Sequence, residues 1–495
     1  MSRRRALLGG AAGLSLALAM PPYGASALGL ATFALLALSL DGATPREAAR
    51  ASFIAGFVAL ALTGTWFIPV VPRFTGAPPA VGYLAWVAAC GWMALSYALG
   101  GFLAARARPA LGPSLAAALS FWASLRYGPR LFPYPLALPL VDLPALPQSA
   151  DLLGVEGLGA ALLGCAVGVA NALRRKGLRA LALAISAPLA LSAYGAWRAS
   201  RVEGVRALAP SMEVALVQPW VGAALRWDDA MRPRIHEHLQ RVTRDGAGGA
   251  ALTVWHEGAF PYELPFGAGA DGALAPAVLP GWEGPLLFGA MARPPSSDDP
   301  RRFNAAFVRT PDGRLRAPVA KRRLLPFGEY VPVASLWPAA HARVTDGGGV
   351  SPGPEPQRIR LGDREIGVLN CFEDTLPEAG AELAGADLLV NLTNDAWFDG
   401  ANNDQHVLAS RWRAIELRRD LVRASNAGRS AHVDALGAVR DVAPQGAVTV
   451  LRARARLVRG VTPLAPWGIV WGARAALASV LLAVWFGARA REERR

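Results

Sequence analysis

The sequence predicts a polytopic α-helical membrane bundle joined to an α/β domain. Three observations carry that prediction. Of the 495 residues, 53% are hydrophobic and 18% are charged, whereas a soluble protein carries about 25% charged residues. The apolar residues are also concentrated. Residues 1 to about 200 and 466–487 consist mostly of Ala, Leu, Gly, Val and aromatics, while residues 205–462 have an ordinary globular composition. Within that middle region short apolar runs alternate with helical stretches, the pattern of a layered α/β domain. This composition excludes a fully soluble enzyme, and its hydrophobicity excludes a disordered chain.

The membrane elements come first in chain order. Eight apolar segments are expected to span, at about 6–21, 24–41, 50–71, 80–104, 111–126, 152–173, 178–198 and 466–487. A span needs about 20 apolar residues, with a range of about 17–25; the first and fifth segments are short. Arg3, Arg4 and Arg5 precede the first run as in a signal peptide. The second run follows at once through Pro21-Pro22, so a retained helix is expected instead.

Charge sets the expected topology. The chain carries 51 Lys+Arg against 37 Asp+Glu, a formal net charge of +14. In a membrane protein such an excess reflects cytoplasmic loops rather than a nucleic-acid partner, and none is expected. With Arg3–Arg5 inside and alternating spans, the inside segments hold Arg46, Arg50, Arg106, Arg108, Arg174, Arg175, Lys176, Arg179 and the C-terminal arginines. The outside loops hold Arg73 and Arg130, with Arg126 near a membrane edge. This places residues 1–200 as the N-terminal bundle and 205–462 as an extracytoplasmic domain. Residues 466–487 are then the last span and 488–495 a cytoplasmic basic tail.

In the middle region the expected strands are Val214–Val217, Ala251–Trp255, Leu286–Ala290, Ala305–Val308, Glu365–Leu369, Leu388–Leu392, Leu421–Ala424 and Ala431–Asp434. Asp228–Thr243 and Asp404–Arg419 read as helices, and the Gly/Pro-rich stretches 264–285 and 346–356 as loops. There is no G-x-S-x-G elbow, Walker A or G-x-G-x-x-G motif after a strand. His236 and His238 fall on the solvated face of a predicted helix rather than in a metal site. Cys90, Cys165 and Cys371 form neither a disulfide framework nor a zinc pattern. No metal and no cofactor is expected.

One cysteine lies in the globular region. Cys371 ends the run Glu365-Ile-Gly-Val-Leu-Asn-Cys and precedes a polar turn, so its sulfur sits at a strand edge within reach of a substrate. A buried structural thiol is the alternative. The thiolate is the nucleophilic form, so a base and a cation are needed nearby. Glu257 follows a predicted strand in Thr253-Val-Trp-His-Glu-Gly, and Lys321 and Glu329 lie in KRRLLPFGEYVP. Each alone reads as an ordinary surface charge.

Together, the order Glu257, Lys321, Cys371 resembles the Glu-Lys-Cys triad of the carbon-nitrogen hydrolase (nitrilase) superfamily. The KRRLLPFGEYVP and NDAWF stretches, with several spans before the domain and one after it, resemble the apolipoprotein N-acyltransferase family within it. That resemblance implies an αββα sandwich over about 205–462, with Glu257 as general base and Cys371 as acyl-accepting nucleophile. Lys321 and the amide N–H after the cysteine would stabilise the oxyanion. Glu329, Glu373 and Phe372 would support the triad, and Trp227 and Asn304 would shape the substrate site. Trp397 would line the lipid entrance or belong to the core. The implied partners are a phospholipid acyl donor, a diacylated apolipoprotein acceptor and the cytoplasmic (inner) membrane, with the catalytic domain on its periplasmic side.

Three positions depart from the family pattern. His256 stands where Pro is usual, Phe372 where Tyr is usual, and Arg323 where His is frequent. None is a triad member, so they bear on rate or preference rather than reaction class. Two other readings remain at this stage: a membrane-anchored amidase or hydrolase of the same superfamily, in which water replaces the amine, and a non-catalytic transporter or scaffold. The second would call for ionisable residues within the spans, which most of these segments lack. Trp66, Trp86, Trp92, Tyr127 and Trp467 are candidate interfacial aromatics.

Overall fold

The computed structural model of the chain describes residues 2–492 except 223–228, 268–271, 273–274, 297, 333–348, 399 and 460–462. All eight apolar segments are helical in it. Arg3–Ala19, Leu28–Leu40, Pro45–Thr63 and Phe67–Thr75 lead into a run assigned as helix from Pro79 to Tyr127, then Ala150–Arg175 and Leu178–Leu208. The run Pro79–Tyr127 is two helices. Gly112 has φ 72° and ψ 164°, a conformation closed to other residues at low cost, and the chain folds back there. Ser96 Oγ donates to the Pro129 carbonyl at 2.6 Å across the resulting hairpin.

Among the described residues, and with the folded-back run Pro79–Tyr127 counted once, four helices are long and apolar enough to cross a membrane, or five if the bent pair Pro45–Thr63 and Phe67–Arg73 counts as one span. The first two segments fall short because they are helical over only 17 and 13 residues. At 1.5 Å per residue these reach about 26 and 20 Å, less than the ~30 Å hydrocarbon core. The third is broken by a 64° bend.

The middle region is the nitrilase-like αββα sandwich. One sheet runs β13-β1-β2-β4-β5-β6, with β3 beside β4, and the other runs β12-β11-β10-β9-β8-β7. The strands are β1 (Ser211–Gln218), β2 (Leu252–Val254), β3 (Phe260–Pro265), β4 (Leu286–Arg293), β5 (Phe303–Arg309), β6 (Val319–Ala320) and β7 (Arg358–Leu361). They continue as β8 (Arg364–Asn370), β9 (Leu388–Thr393), β10 (Leu421–Ser425), β11 (Ala431–Val433), β12 (Val439–Val442) and β13 (Thr449–Arg456). Each expected strand is present. Alternate residues of the two inner faces meet in one core, with Val214, Leu216 and Val254 facing Val368, Val390 and Val422. The helix Arg232–Gly246 covers the outer face of the first sheet through Leu239 and Val242.

The helix Ala401–Leu417 covers the second sheet and is apolar on two sides. Ala414 and Leu417 pack on the sheet, whereas Leu408, Trp412 and Ile415 belong to the core of the bundle. It therefore serves as a shared layer. Trp412 Nε1 donates to the Leu138 carbonyl at 2.8 Å, and Arg418 Nε, just past its end, donates to Asp151 at 3.0 Å.

Two expectations are corrected. His236 is not on a solvated face: its Nε2 lies 2.8 Å from the Val278 carbonyl and its ring packs edge-on against Phe260 at 5.2 Å. His238 Nε2 likewise sits 2.8 Å from the Pro219 carbonyl. Of the five candidate interfacial aromatics, Trp92, Tyr127 and Trp467 are exposed. Trp66 and Trp86 instead line an internal cleft.

Candidate active site

The second sheet presents a cysteine at the end of a strand. From Ile366 to Asn370, β8 is buried, and parallel β9 holds its register. At Cys371 the chain turns sharply with φ 49°. A left-handed backbone at a non-glycine residue costs on the order of 1–3 kcal/mol and persists only where surrounding contacts enforce it. The enforcing contacts are at hand. Asn391 Nδ2 donates to the Cys371 carbonyl at 3.1 Å, and Glu373 caps the turn by accepting the Asn370 N–H at 2.8 Å.

The first sheet supplies the charged groups. Glu257 follows β2, and Gly289 on β4 allows that segment to lie close: a Cβ on Gly289 would sit 2.3 Å from the Gly258 nitrogen. Asn304 is on β5. Lys321 follows β6, its N–H bonded to the Asn304 carbonyl at 2.7 Å and its carbonyl accepting from the Gly353 N–H at 2.8 Å. Lys321 Nζ lies 3.0 Å from Glu257 Oε1 and 3.0 Å from Glu329 Oε2. Asn304 Nδ2 donates to both carboxylates, at 2.8 and 3.0 Å. Glu329 also accepts the Leu325 N–H at 2.8 Å.

Glu373 joins the two halves. Its buried carboxylate accepts the N–H groups of Arg322 at 2.9 Å and Arg323 at 2.8 Å, as well as that of Asn370 and the side chain of Gln357. The Lys321 segment is thus fastened to the cysteine turn. Burial raises the Glu373 pKa, while Lys321 and the backbone donors oppose that rise.

Electrostatics sets the resting protonation. Burial and then Glu257 push the Cys371 thiol well above its ordinary range, with Lys321 and a hydrogen bond from Thr393 pulling the other way. The sulfur therefore rests as a thiol and needs a base. Burial alone would lower the Lys321 pKa, but Glu257 and Glu329 overcome it and hold the value well above 10.5. The lysine is a permanent cation.

Cys371 opens on an apolar cleft between the bundle and the domain. Phe372, Phe132, Trp66, Met93 and Leu325 are among its walls. Phe372 packs edge-on against Phe132 at 5.9 Å. A hydroxyl on that ring would be added inside an apolar wall. His256 is buried and its Nδ1 lies 2.9 Å from the Glu257 carbonyl, a contact a proline cannot make.

Of the sequence-derived site residues, Glu257, Asn304, Lys321, Glu329, Cys371, Phe372 and Glu373 converge here. Trp227 lies outside the described residues. Trp397 closes the short turn Asp395–Trp397 after β9; its side chain lies outside the described part. Sequence reasoning missed a second, fully buried charged group beneath Cys371. Arg423 Nη1 donates to Asp374 at 3.1 Å and Nη2 to Asp395 at 2.5 Å, and His406 bridges the same two carboxylates at 2.6 and 3.1 Å. One signal was present: an arginine in the middle of the apolar run Leu421-Val-Arg-Ala.

Residues 12–168 match the family Apolipoprotein N-acyltransferase N-terminal domain, and residues 214–458 match Carbon-nitrogen hydrolase. The apolipoprotein N-acyltransferase of Geobacter metallireducens is 31% identical over 492 residues, covering 92% of this chain and 90% of that protein. The protein of the same name in Brucella melitensis biotype 1 is 31% identical over 484 residues, covering 90% and 89%. Among solved structures, the nitrilase-superfamily member Nit3 of Saccharomyces cerevisiae is 18% identical, with TM-score 0.38, covering 50% of this chain and 90% of that one.

Proposed function

This chain belongs to the apolipoprotein N-acyltransferase family, and from that premise we propose that Cys371, Glu257 and Lys321 carry its acyl transfer. The observation that supports this most is the cleft. The buried thiol stands between a carboxylate–ammonium pair and an apolar groove walled by the bundle and the domain together. A hydrolase of small soluble amides has no use for such a groove, and the likeness to the relatives extends over the bundle as well as the domain.

The first half-reaction starts with a phospholipid whose acyl chain occupies the cleft. Glu257 takes the Cys371 proton as the sulfur attacks the ester carbonyl carbon. Negative charge gathers on the carbonyl oxygen, facing Lys321 and the Phe372 N–H; one such donor is worth about 2.7–4 kcal/mol. The carbon–oxygen bond to glycerol breaks, Glu257 returns its proton to the departing oxygen, and a lysophospholipid leaves. A thioester remains on Cys371.

In the second half-reaction the amine of an N-terminal diacylglyceryl-cysteine attacks the thioester carbon. Glu257 accepts the amine proton, the carbon–sulfur bond breaks, and the proton passes to the sulfur. The product is an amide and the thiol is restored. Glu257 serves both halves, and because the lysophospholipid leaves before the amine attacks the thioester, ping-pong kinetics follow. Each buried CH₂ holds a chain in lipid by about 0.8 kcal/mol, so an active site that opens sideways to the bilayer avoids extracting either substrate. The arginine distribution supports a catalytic domain on the outer, periplasmic side of the cytoplasmic membrane.

The test pairs a phospholipid labelled in its acyl chain with a diacylated lipopeptide. Label in an amide on the lipopeptide supports transfer. Label released as free fatty acid, with no amide formed, supports the hydrolase instead.

A further inference from the structure

The Cys371 carbonyl is held by two side chains from different elements. Asn391 Nδ2, on β9, donates to it at 3.1 Å, and His406 Nε2, on the helix Ala401–Leu417, lies 3.2 Å away. The ring's protonation at that nitrogen follows from its neighbours. Nε2 faces two oxygens, Asp374 Oδ1 at 2.6 Å and the Cys371 carbonyl at 3.2 Å, so it bears a hydrogen in either the neutral or the charged ring, and the two acceptors share it. Nδ1 faces Asp395 at 3.1 Å and Arg423 at 2.7 Å, and its state changes nothing at Nε2.

That clamp has a geometric consequence. In a trans peptide the C=O and the following N–H point in opposite directions within one plane. Fixing the Cys371 carbonyl toward His406 and Asn391 therefore fixes the Phe372 N–H toward the opposite side. The helix that carries His406 is itself fastened to the bundle. Gln405 Nε2 donates to the carbonyls of Pro21 at 3.1 Å and Thr63 at 3.0 Å.

We propose that His406 is a positioning residue for acyl transfer: with Asn391 it clamps the Cys371 carbonyl and so aims the Phe372 N–H at the oxyanion. The inference rests on Cys371 carrying the acyl group. It separates His406 from the sulfur's own chemistry, because His406 acts on the oxyanion donor and not on the thiolate.

The experiment compares two reactions of Cys371 in the full-length protein in bilayers. Acyl-enzyme formation from phospholipid passes through an oxyanion; alkylation by iodoacetamide needs the thiolate alone. His406→Phe should slow acylation about tenfold to a hundredfold, below the ~10²–10³-fold cost of deleting an oxyanion donor outright. Alkylation should stay within about twofold, and His406→Gln, which keeps a donor, should recover most of the acylation rate. If His406→Phe does not accumulate, Asn391→Ala gives the same reading, because it removes the other donor to the same carbonyl. Unchanged acylation, a parallel fall in alkylation, or a Gln variant as slow as the Phe variant would overturn the proposal. Failure of the wild-type protein to form any acyl adduct would instead overturn the role of Cys371.

Discussion

Lys321 Nζ stands 3.0 Å from Glu257 Oε1, and an equal distance separates it from Glu329. The ammonium therefore owes its permanence to two carboxylates, of which only Glu257 is needed as a base. Glu329→Gln should leave the base in place and weaken the cation. The raised Lys321 pKa means that its charge, and the stability it brings, is complete below the ordinary lysine value and lost only as pH rises through the folded one. The variant should lose acylation about tenfold at neutral pH. It should also show an alkaline decline, measured from about pH 8 to about pH 11, that begins earlier than in the wild type. Identical pH profiles would remove Glu329 from this role.

The buried group beneath the cysteine gives a stability prediction. Burial and Arg423 lower the His406 pKa, but Asp374 and Asp395 outweigh them and hold it at about 9. A raised folded-state pKa contributes stability in full below the unfolded value near 6.5. That contribution fades as pH climbs through about 9. Thermal unfolding should therefore lose on the order of 1–3 kcal/mol across this window. In His406→Gln the dependence should flatten, as read from melting temperatures in one detergent. A variant that keeps the wild-type slope would place the titration elsewhere.

Removing the cation of that group should be harsher. Arg423 is fully buried between Asp374 and Asp395. Breaking such a pair from one side costs about 3–5 kcal/mol. Arg423→Met should lower the melting temperature sharply and reduce the membrane-inserted yield. A stable, fully active variant would contradict the assignment.

Chain preference should follow the cleft. Met93 is buried on its wall among residues from the bundle. Met93→Trp would fill space that a long acyl chain occupies, at about 0.8 kcal/mol for each CH₂ displaced. The rate with long-chain donors should fall by about tenfold or more, and short-chain donors should be affected least. Equal losses for all chain lengths would put the chain elsewhere.

The first sheet and its helices were readable because alternation and length suffice to locate strands such as Val214–Val217 and Leu286–Ala290. Cys371 and Glu257 were readable because each follows an anticipated strand, and Lys321 because a family pattern links residues 64 and 50 positions apart, from Glu257 to Lys321 and from there to Cys371. The strand β3, which runs into the stretch 264–285 expected as a loop, the short strand β6 and the edge strands β7, β12 and β13 were not anticipated; in β13, Thr449–Arg456 alternates with arginine rather than presenting an apolar run. The link from His406 to Cys371 spans 35 residues and depends on a helix shared by two cores, which no local pattern encodes. The eight spans shrank by length and composition because the first two helices stop early, the third bends after Thr63, and the segments 80–104 and 111–126 share the one run Pro79–Tyr127.

Intact mass of the full-length protein after exposure to phospholipid tests the central claim most directly. The account predicts a mass increase of one acyl group, located on Cys371 by fragmentation, absent from Cys371→Ser, nearly absent from Glu257→Gln, and discharged by a diacylated lipopeptide amine. An adduct that forms equally in Cys371→Ser, or amide product that accumulates with no adduct on Cys371 at any time, would contradict it.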